Sequence, residues 1–225
     1  MALSPRPVEP APQIPAPERL RLAVILDYTA PTVGIGFMFL LVNLYLMKFS
    51  TDVLLIAPGA MGLIFGFSRI WDALSDPVAG YLSDRTHTRL GRRRPWILAG
   101  SVPIAGVFVL LWSPPASLAG AGLVGWMAAM VFGFYTAMTI FIVPHTSLGA
   151  ELTDSYHDRT RIFGVRHITW TIGSALALVG MWMLIEASDP RATALQVSLL
   201  VAGFTVALLL WAVVRLREQI GRAHV

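Results

Sequence analysis

Three charged residues stand inside a segment that is apolar enough to cross a membrane. Arg69, Asp72 and Asp76 are spaced three and four residues apart, so they share one face of a helix. A charge at membrane depth is costly and usually marks an ion or substrate path. Two carboxylates one turn apart can hold a proton, or bind a hard cation such as Na⁺ through their oxygens. A structural ion pair with Arg69 is the alternative interpretation.

The depth of the two acids favours a functional role. If Leu82 is the inner boundary of the segment, Asp76 lies about 9 Å deep and Asp72 about 15 Å deep at 1.5 Å per residue. Asp72 is then near the middle of the bilayer. We therefore predict that Asp72 and Asp76 bind a coupling cation, Na⁺ or H⁺, and that Arg69 is a supporting charge that offsets one carboxylate.

The composition is that of an integral membrane protein. Of 225 residues, 56% are hydrophobic and 13% are charged, whereas about 25% are charged in a typical soluble domain. The 17 Lys and Arg against 13 Asp and Glu do not indicate a nucleic-acid partner, because the arginines fall in short connections beside apolar segments. The absence of cysteine excludes disulfides and thiolate metal sites.

Six segments reach the roughly 20 mostly apolar residues that a membrane helix needs. We therefore predict an all-α membrane protein with six transmembrane helices. The predicted spans are Leu22–Phe49, Gly59–Leu82, Trp96–Trp112, Leu123–Leu148, Val165–Ile185 and Leu195–Val214.

The distribution of arginine predicts the orientation. One side of the six spans carries 14 arginines and the other carries only Lys48 and Arg191. Positive residues stay on the cytoplasmic side, so we expect a multi-pass cell-membrane protein with both termini in the cytoplasm. The 14 arginines are Arg6, Arg19, Arg21, Arg85, Arg89, Arg92, Arg93, Arg94, Arg159, Arg161, Arg166, Arg215, Arg217 and Arg222.

No catalytic motif accompanies the charged span. The sequence contains no G-x-S-x-G, no H-E-x-x-H, no Gly-rich phosphate loop and no haem-type histidine pair, so we predict neither an enzyme nor a cofactor. The alternative to a transporter is a small channel, or a non-transporting membrane subunit that acts as an oligomer. Neither of these needs a carboxylate pair in the middle of the membrane.

Three stretches carry a family resemblance: "FSTDV", "RIWDALSDPVAGYLSDRTHTRLGRRRPWILAG" and "VPHTSLGAELTDSYHDRTR". They resemble the glycoside–pentoside–hexuronide:cation symporters of the major facilitator superfamily, the group that contains the melibiose permeases. The resemblance implies a cation-coupled symporter of a sugar or related solute, made of two six-helix halves with the solute between them. This chain would be the N-terminal half.

The resemblance also implies roles for single residues. Asp72 and Asp76 match the cation-binding acids of the family's second helix. A cytoplasmic gating loop is implied by Gly80, Asp84, Arg85, Gly91, Arg92 and Arg93. The family's two sugar-recognising acids align near Gly36 and Ile142, which are not acidic, so galactoside recognition of the melibiose type is not expected.

The ends of the chain differ from its middle. Residues 1–18 are rich in proline and we expect an extended cytoplasmic tail. Residues 19–218 should form the six-helix bundle. The last six residues, "IGRAHV", read as a translated sequencing adapter, so we expect residues 219–225 to be non-native. The expected partners are lipid, a small solute and a missing C-terminal six-helix half.

The predicted topology can be tested with single cysteines, because the native chain has none. We expect a cysteine at Thr86 to be protected from an impermeant thiol reagent added to intact cells, and a cysteine at Ser117 to react. Labelling of the Thr86 position together with protection of the Ser117 position would show that the orientation is the reverse of the predicted one.

Overall fold

The computed structural model describes residues 19–89 and 91–215. The expected tail over residues 1–18 and the expected non-native segment over residues 219–225 lie outside the described residues. The described part contains seven α-helices: α1 Leu22–Thr29, α2 Pro31–Asp52, α3 Pro58–Arg85, α4 Arg94–Trp112, α5 Gly120–Glu151, α6 Tyr156–Ile185 and α7 Pro190–Arg215.

These helices confirm the all-α membrane fold. By length and composition, five helical segments of the described chain can cross a membrane: α1 with α2, α4, α5, α6 and α7. The second predicted span is α3, a single helix of 28 residues that runs through Pro77. Its charged residues, Arg69 and the two aspartates among them, set it apart from the five apolar segments.

The first predicted span is divided into two helices. Pro31 has no backbone N–H, so it cannot make the hydrogen bond that would continue α1 into α2. Ala30 keeps helical backbone angles and its N–H donates to the carbonyl of Leu26 at 2.8 Å. The chain therefore crosses as one nearly continuous segment, Leu22–Asp52, with an interruption one third of the way along it.

Helices α2 and α6 approach each other closely, and glycine makes the approach possible. A Cβ atom built on Gly173 of α6 would lie 1.8 Å from the carbonyl oxygen of Val33, and one built on Gly36 of α2 would lie 2.4 Å from the carbonyl oxygen of Trp170. Both neighbours are backbone atoms that cannot rotate away. Close approach through small residues is a common way for helices to pack in membranes.

Polar contacts hold the arginine-bearing segments together at one end of the bundle. Asp27 in α1 accepts a hydrogen bond from the indole Nε1 of Trp211 at 2.9 Å and pairs with Arg215 at 3.5 Å. The guanidinium of Arg94 donates to the carbonyl of Val213. Asp158, at the start of α6, accepts a 3.0 Å hydrogen bond from the backbone N–H of Leu20. These contacts agree with the predicted grouping of the arginines, while the orientation in the membrane stays a prediction.

Replacing Gly173 by alanine should destabilise the bundle. The new methyl group would collide with the Val33 carbonyl, and overpacking costs about 1–3 kcal/mol. Gly164→Ala is the matched control, because it lies on the same helix with no atom within 4 Å of its built Cβ. In detergent thermal melts we expect Gly173→Ala to melt at least about 2 °C below Gly164→Ala. Equal melting temperatures would show that the α2–α6 contact is looser than described.

Candidate functional site

The two membrane aspartates of α3 meet the same hydroxyl group of α5. Thr139 Oγ1 lies 3.2 Å from Asp72 Oδ1 and 2.8 Å from Asp76 Oδ1. Thr139 is only 4% exposed, whereas Asp72 is half-buried and Asp76 is exposed along the side of α3. The structure therefore brings the two predicted cation ligands together and adds a third oxygen from another helix.

A threonine hydroxyl has one hydrogen and can donate it to one acceptor at a time. Because two carboxylate oxygens compete for it, one carboxylate always lacks this bond. Two ionised carboxylates that approach the same hydroxyl also repel each other, and this repulsion is stronger where water is scarce. One additional positive charge between the two acids would therefore stabilise this arrangement.

The oxygens at this position suit a small hard cation. Asp72, Asp76 and Thr139 supply carboxylate and hydroxyl oxygens, and Ser75 Oγ lies 3.4 Å from Thr139 Oγ1. Oxygen ligands of this kind suit hard cations, and a proton can serve the same pair. Within residues 19–89 and 91–215, no group of three or more His, Cys, Asp or Glu forms a metal site, so a bound cation must rely on neutral oxygens besides the two acids.

Arg69 is held by neutral groups on α2 and α5. Its guanidinium donates to Asn43 Oδ1 and to Tyr135 Oη, the latter at 2.9 Å, and it lies 4.6 Å from the centre of the Tyr135 ring. Tyr135 Oη in turn donates to Asn43 Oδ1 at 3.2 Å. Among the ion pairs of the described residues, none joins Arg69 to Asp72 or Asp76. The alternative of a structural ion pair with the acids is therefore not formed here.

The arginine-rich connection between α3 and α4 is fixed by a buried guanidinium. Arg93, 5% exposed, pairs with Asp84 and with Glu151 and donates to Ser83 Oγ at 2.7 Å. Arg92 also pairs with Glu151, at 2.7 Å. Of the gating-loop residues predicted from the resemblance, Asp84, Arg92 and Arg93 thus converge on the end of α5.

The other predicted loop residues have local roles. Gly91 has a φ angle of +97°, which favours glycine, in a turn closed by the Thr88 hydroxyl. Arg85 stacks on the Tyr81 ring at 4.2 Å. A Cβ on Gly80 would lie 3.7 Å from Val143, an ordinary contact, so packing within the described helices does not by itself demand glycine there.

The structure shows the surroundings of Gly36 and Ile142, the two positions where the family's sugar-recognising acids align. Gly36 faces the backbone of Trp170 and has no room for a side chain. Ile142 borders an open depression with Phe163, Arg166, His167 and Trp170. Arg166, which we counted with the cytoplasmic arginines although it is the second residue of the predicted span Val165–Ile185, lies ten residues inside α6, because the helix begins earlier, at Tyr156.

Several residues of the site were not predicted from the sequence. Thr139, Tyr135, Asn43 and Glu151 belong to other helices than α3, and helical spacing within one segment does not reveal its partners. One usable signal was present, because Tyr135 and Thr139 are polar, four residues apart and hence on one face of an apolar helix.

The family comparison agrees with the fold and with the resemblance. The sequence model of the family described as MFS/sugar transport protein matches residues 27–222 of this chain.

Three relatives illustrate the similarity. An uncharacterized symporter of Synechocystis sp. is 32% identical over 210 residues, 90% of this chain and 38% of that protein. The isoprimeverose transporter of Lactiplantibacillus pentosus is 31% identical over 67% of this chain and 31% of its own length. The putative glycoside/cation symporter YagG of Escherichia coli is 31% identical over 69% and 34%, respectively. The chain thus spans about a third of the length of these relatives.

Proposed function

This chain belongs to the MFS/sugar transport protein family, and we propose that it forms the N-terminal half of a cation-coupled secondary symporter. The proposed solute is a sugar or a related small molecule. It is a multi-pass membrane protein, and its relatives are named as transporters rather than enzymes. We propose further that both termini lie in the cytoplasm.

The observation that carries this proposal is the sharing of Thr139 Oγ1 by Asp72 and Asp76. Two acids inside a membrane bundle need a positive charge between them. Na⁺ would bind the two carboxylates and the hydroxyl oxygen, and a proton would sit on one carboxylate while Thr139 donates to the other. Either ion gives the site one cation per transport cycle.

The site is placed for coupling because it joins two helices. Asp72 and Asp76 belong to α3, and Thr139 belongs to α5. A cation that ties them together stabilises the arrangement of helices in which all three oxygens are near. A ligand shifts a conformational equilibrium by its differential affinity for the two states, so cation binding would favour one access state over the other.

The names of the relatives favour a saccharide solute and symport. One is named an isoprimeverose transporter and another a putative glycoside/cation symporter. The alternative of a small channel or a non-transporting subunit gives the shared hydroxyl and its two acids no function.

We propose that the Arg93 cluster with Asp84, Ser83 and Glu151 belongs to the cytoplasmic gating loop.

In this proposal a second six-helix half closes the solute cavity. The purified chain alone should therefore insert and yet show no gradient-driven uptake after reconstitution. Robust uptake driven by a Na⁺ or proton gradient would instead favour a homodimer in which two copies replace the two halves.

Cation binding predicts a specific change in thermal stability. A ligand that binds only the folded state at a hundredfold excess over its Kd adds about 2.7 kcal/mol, which raises Tm by roughly 5–10 °C for a chain of this size. We expect Na⁺, compared with choline at equal ionic strength, or else a lower pH, to raise the Tm of the purified chain. Asp72→Asn keeps the shape, removes the charge and should abolish the response, while Thr139→Val should weaken it.

Asp154→Asn is the matched control, because Asp154 is fully exposed and makes only a 3.9 Å pair with Arg159. It should respond to the cation as the native chain does. In a transporter that contains both halves, Asp72→Asn should also stop cation-driven uptake while expression persists. If the cation changed the Tm of the native chain and of Asp72→Asn by the same amount, Asp72 would not be part of the coupling site.

A further inference from the structure

A buried tyrosine and a buried histidine join α1 to α5 near the arginine-rich end of the bundle. Tyr28 is 0% exposed and His145 is 1% exposed. Tyr28 follows the start of α1 at Leu22 by six residues, and His145 precedes the end of α5 at Glu151 by six residues. Each therefore lies about 9 Å from its helix end. The proposed cation site gives this polar pair no role.

The two residues form reciprocal hydrogen bonds. The Tyr28 hydroxyl donates to the carbonyl of His145 at 3.0 Å, and Nε2 of His145 lies 3.0 Å from the carbonyl of Tyr28. Because a carbonyl oxygen can only accept, Nε2 carries the hydrogen of the imidazole. The two rings stack with their centres 4.3 Å apart and their planes 8° apart. Each side chain thus holds the backbone of the other helix.

Helix α5 is shaped to receive the tyrosine. Phe141 stacks near the His145 ring as well, with ring centres 4.9 Å apart. One turn after His145, a Cβ atom built on Gly149 would lie 2.3 Å from Tyr28 Oη. A residue larger than glycine would therefore displace the hydroxyl from its acceptor.

This contact carries a loss as well as a gain. His145 Nδ1 is buried and has no hydrogen-bond partner among the described residues. With the hydrogen on Nε2, Nδ1 has a lone pair that water would satisfy. The missing bond offsets part of the stabilisation that the two hydrogen bonds and the stacking supply. Closed and released forms of the contact are therefore closer in free energy than its hydrogen bonds alone suggest.

Both helices are weakened by proline next to this contact. Pro31 follows Tyr28 by three residues and separates α1 from α2, and Pro144 directly precedes His145 inside α5. Proline lacks the N–H that would continue a helix and is a frequent cause of bends. The contact thus joins two helix ends that each have a point of low resistance to bending beside them.

The Tyr28–His145 contact is the hydrogen-bonded connection between these two helix ends. In the part of the chain that the structure describes, the hydrogen bonds between α1 and α5 are the two of this pair. The other polar contacts lead elsewhere: Asp27 of α1 bonds Trp211 of α7, and Glu151 of α5 pairs with Arg93. Release of one residue pair would therefore free the two ends from each other.

We propose that Tyr28 and His145 form a latch that closes the arginine-rich end of the bundle between α1 and α5. When the latch is released, the two helix ends bend at Pro31 and Pro144, move apart and let water reach His145 Nδ1. Thr139 lies on the other side of Pro144, so the cation site belongs to the part of α5 that stays in place. The use of this opening for solute access rests on the proposed function, whereas the latch itself does not.

The test uses two single cysteines in this cysteine-free chain. Leu152, directly after α5 and 4% exposed, follows His145 by seven residues and hence points to the same side. Met38, 0% exposed, lies in α2 beyond Pro31 and serves as the reference position. In lipid nanodiscs, the rate at which a water-soluble maleimide labels Leu152→Cys or Met38→Cys measures how often each position opens to water.

Two substitutions should release the latch without removing a ring. Tyr28→Phe deletes one of the two hydrogen bonds, and Gly149→Ala displaces the Tyr28 hydroxyl. We expect each to speed labelling at position 152 at least about threefold, since one hydrogen bond of ordinary strength is lost, and to leave labelling at position 38 unchanged. Tyr45→Phe is the matched control, because Tyr45 is 4% exposed on the same membrane segment but stacks on Trp112 near the opposite end. It should change neither rate.

Two results would overturn the latch. Unchanged labelling at position 152 in both Tyr28→Phe and Gly149→Ala would show that the pair does not hold the helix ends together. Equal acceleration at positions 152 and 38 would show that the pair supports the whole fold rather than one opening. Failure of the proposed symport is read separately, from a cation response that Asp72→Asn leaves unchanged, and these labelling rates are measured without the coupling cation.

Discussion

The structure depends on one constraint, the presence of two carboxylates in a membrane helix that have a single hydroxyl hydrogen to share. Thr139 can satisfy Asp72 or Asp76 but not both at once. Helix α3 therefore cannot face lipid on that side and must pack against α5. In the proposed function the same constraint creates a place for a cation, because one positive charge would satisfy both acids and join the two helices.

The rest of the bundle keeps these helices in position. Glycine contacts bring α2 and α6 together so closely that the backbone of one helix touches the other. At the end of the bundle, buried Arg93 ties the α3–α4 connection to Glu151 of α5. The two helices of the candidate cation site are thus linked twice, at Thr139 and at Glu151. Movement of α3 relative to α5 would have to break or rearrange both links.

The sequence predicted the helices well because their signal is local. Length, hydropathy and the 3.6-residue period lie within each segment, and the predicted α4 end at Trp112 and α6 end at Ile185 agree with the structure. Helix α3 was also predicted, over Gly59–Leu82, and the structure has it as Pro58–Arg85, although by composition it is not among the five segments that can cross a membrane. The division at Ala30 was not predicted, although Pro31 gave the physical reason for it.

The partners of the charged residues could not be predicted in the same way. The spacing of Asp72 and Asp76 shows that they share a face, but which helix covers that face is decided by packing between distant segments. Thr139, Asn43 and Glu151 were missed for this reason. Arg166 was counted with the cytoplasmic arginines because arginine usually lies there, while the structure begins α6 nine residues before the predicted span, at Tyr156, and leaves Arg166 beside a depression.

The most direct test of the cation site is the labelling of its acids by a hydrophobic carbodiimide, which reacts with protonated carboxyl groups, located by peptide mass spectrometry. The account predicts that Asp72 or Asp76 is labelled in the purified chain and that the coupling cation competes with labelling. With Na⁺ as that cation, added Na⁺ slows the reaction at fixed pH, and Thr139→Val weakens the protection. With a proton in that role, Asp76→Asn shifts the pH midpoint of Asp72 labelling. Labelling of Asp72 that is indifferent to Na⁺, to Thr139→Val and to Asp76→Asn would contradict a shared cation site.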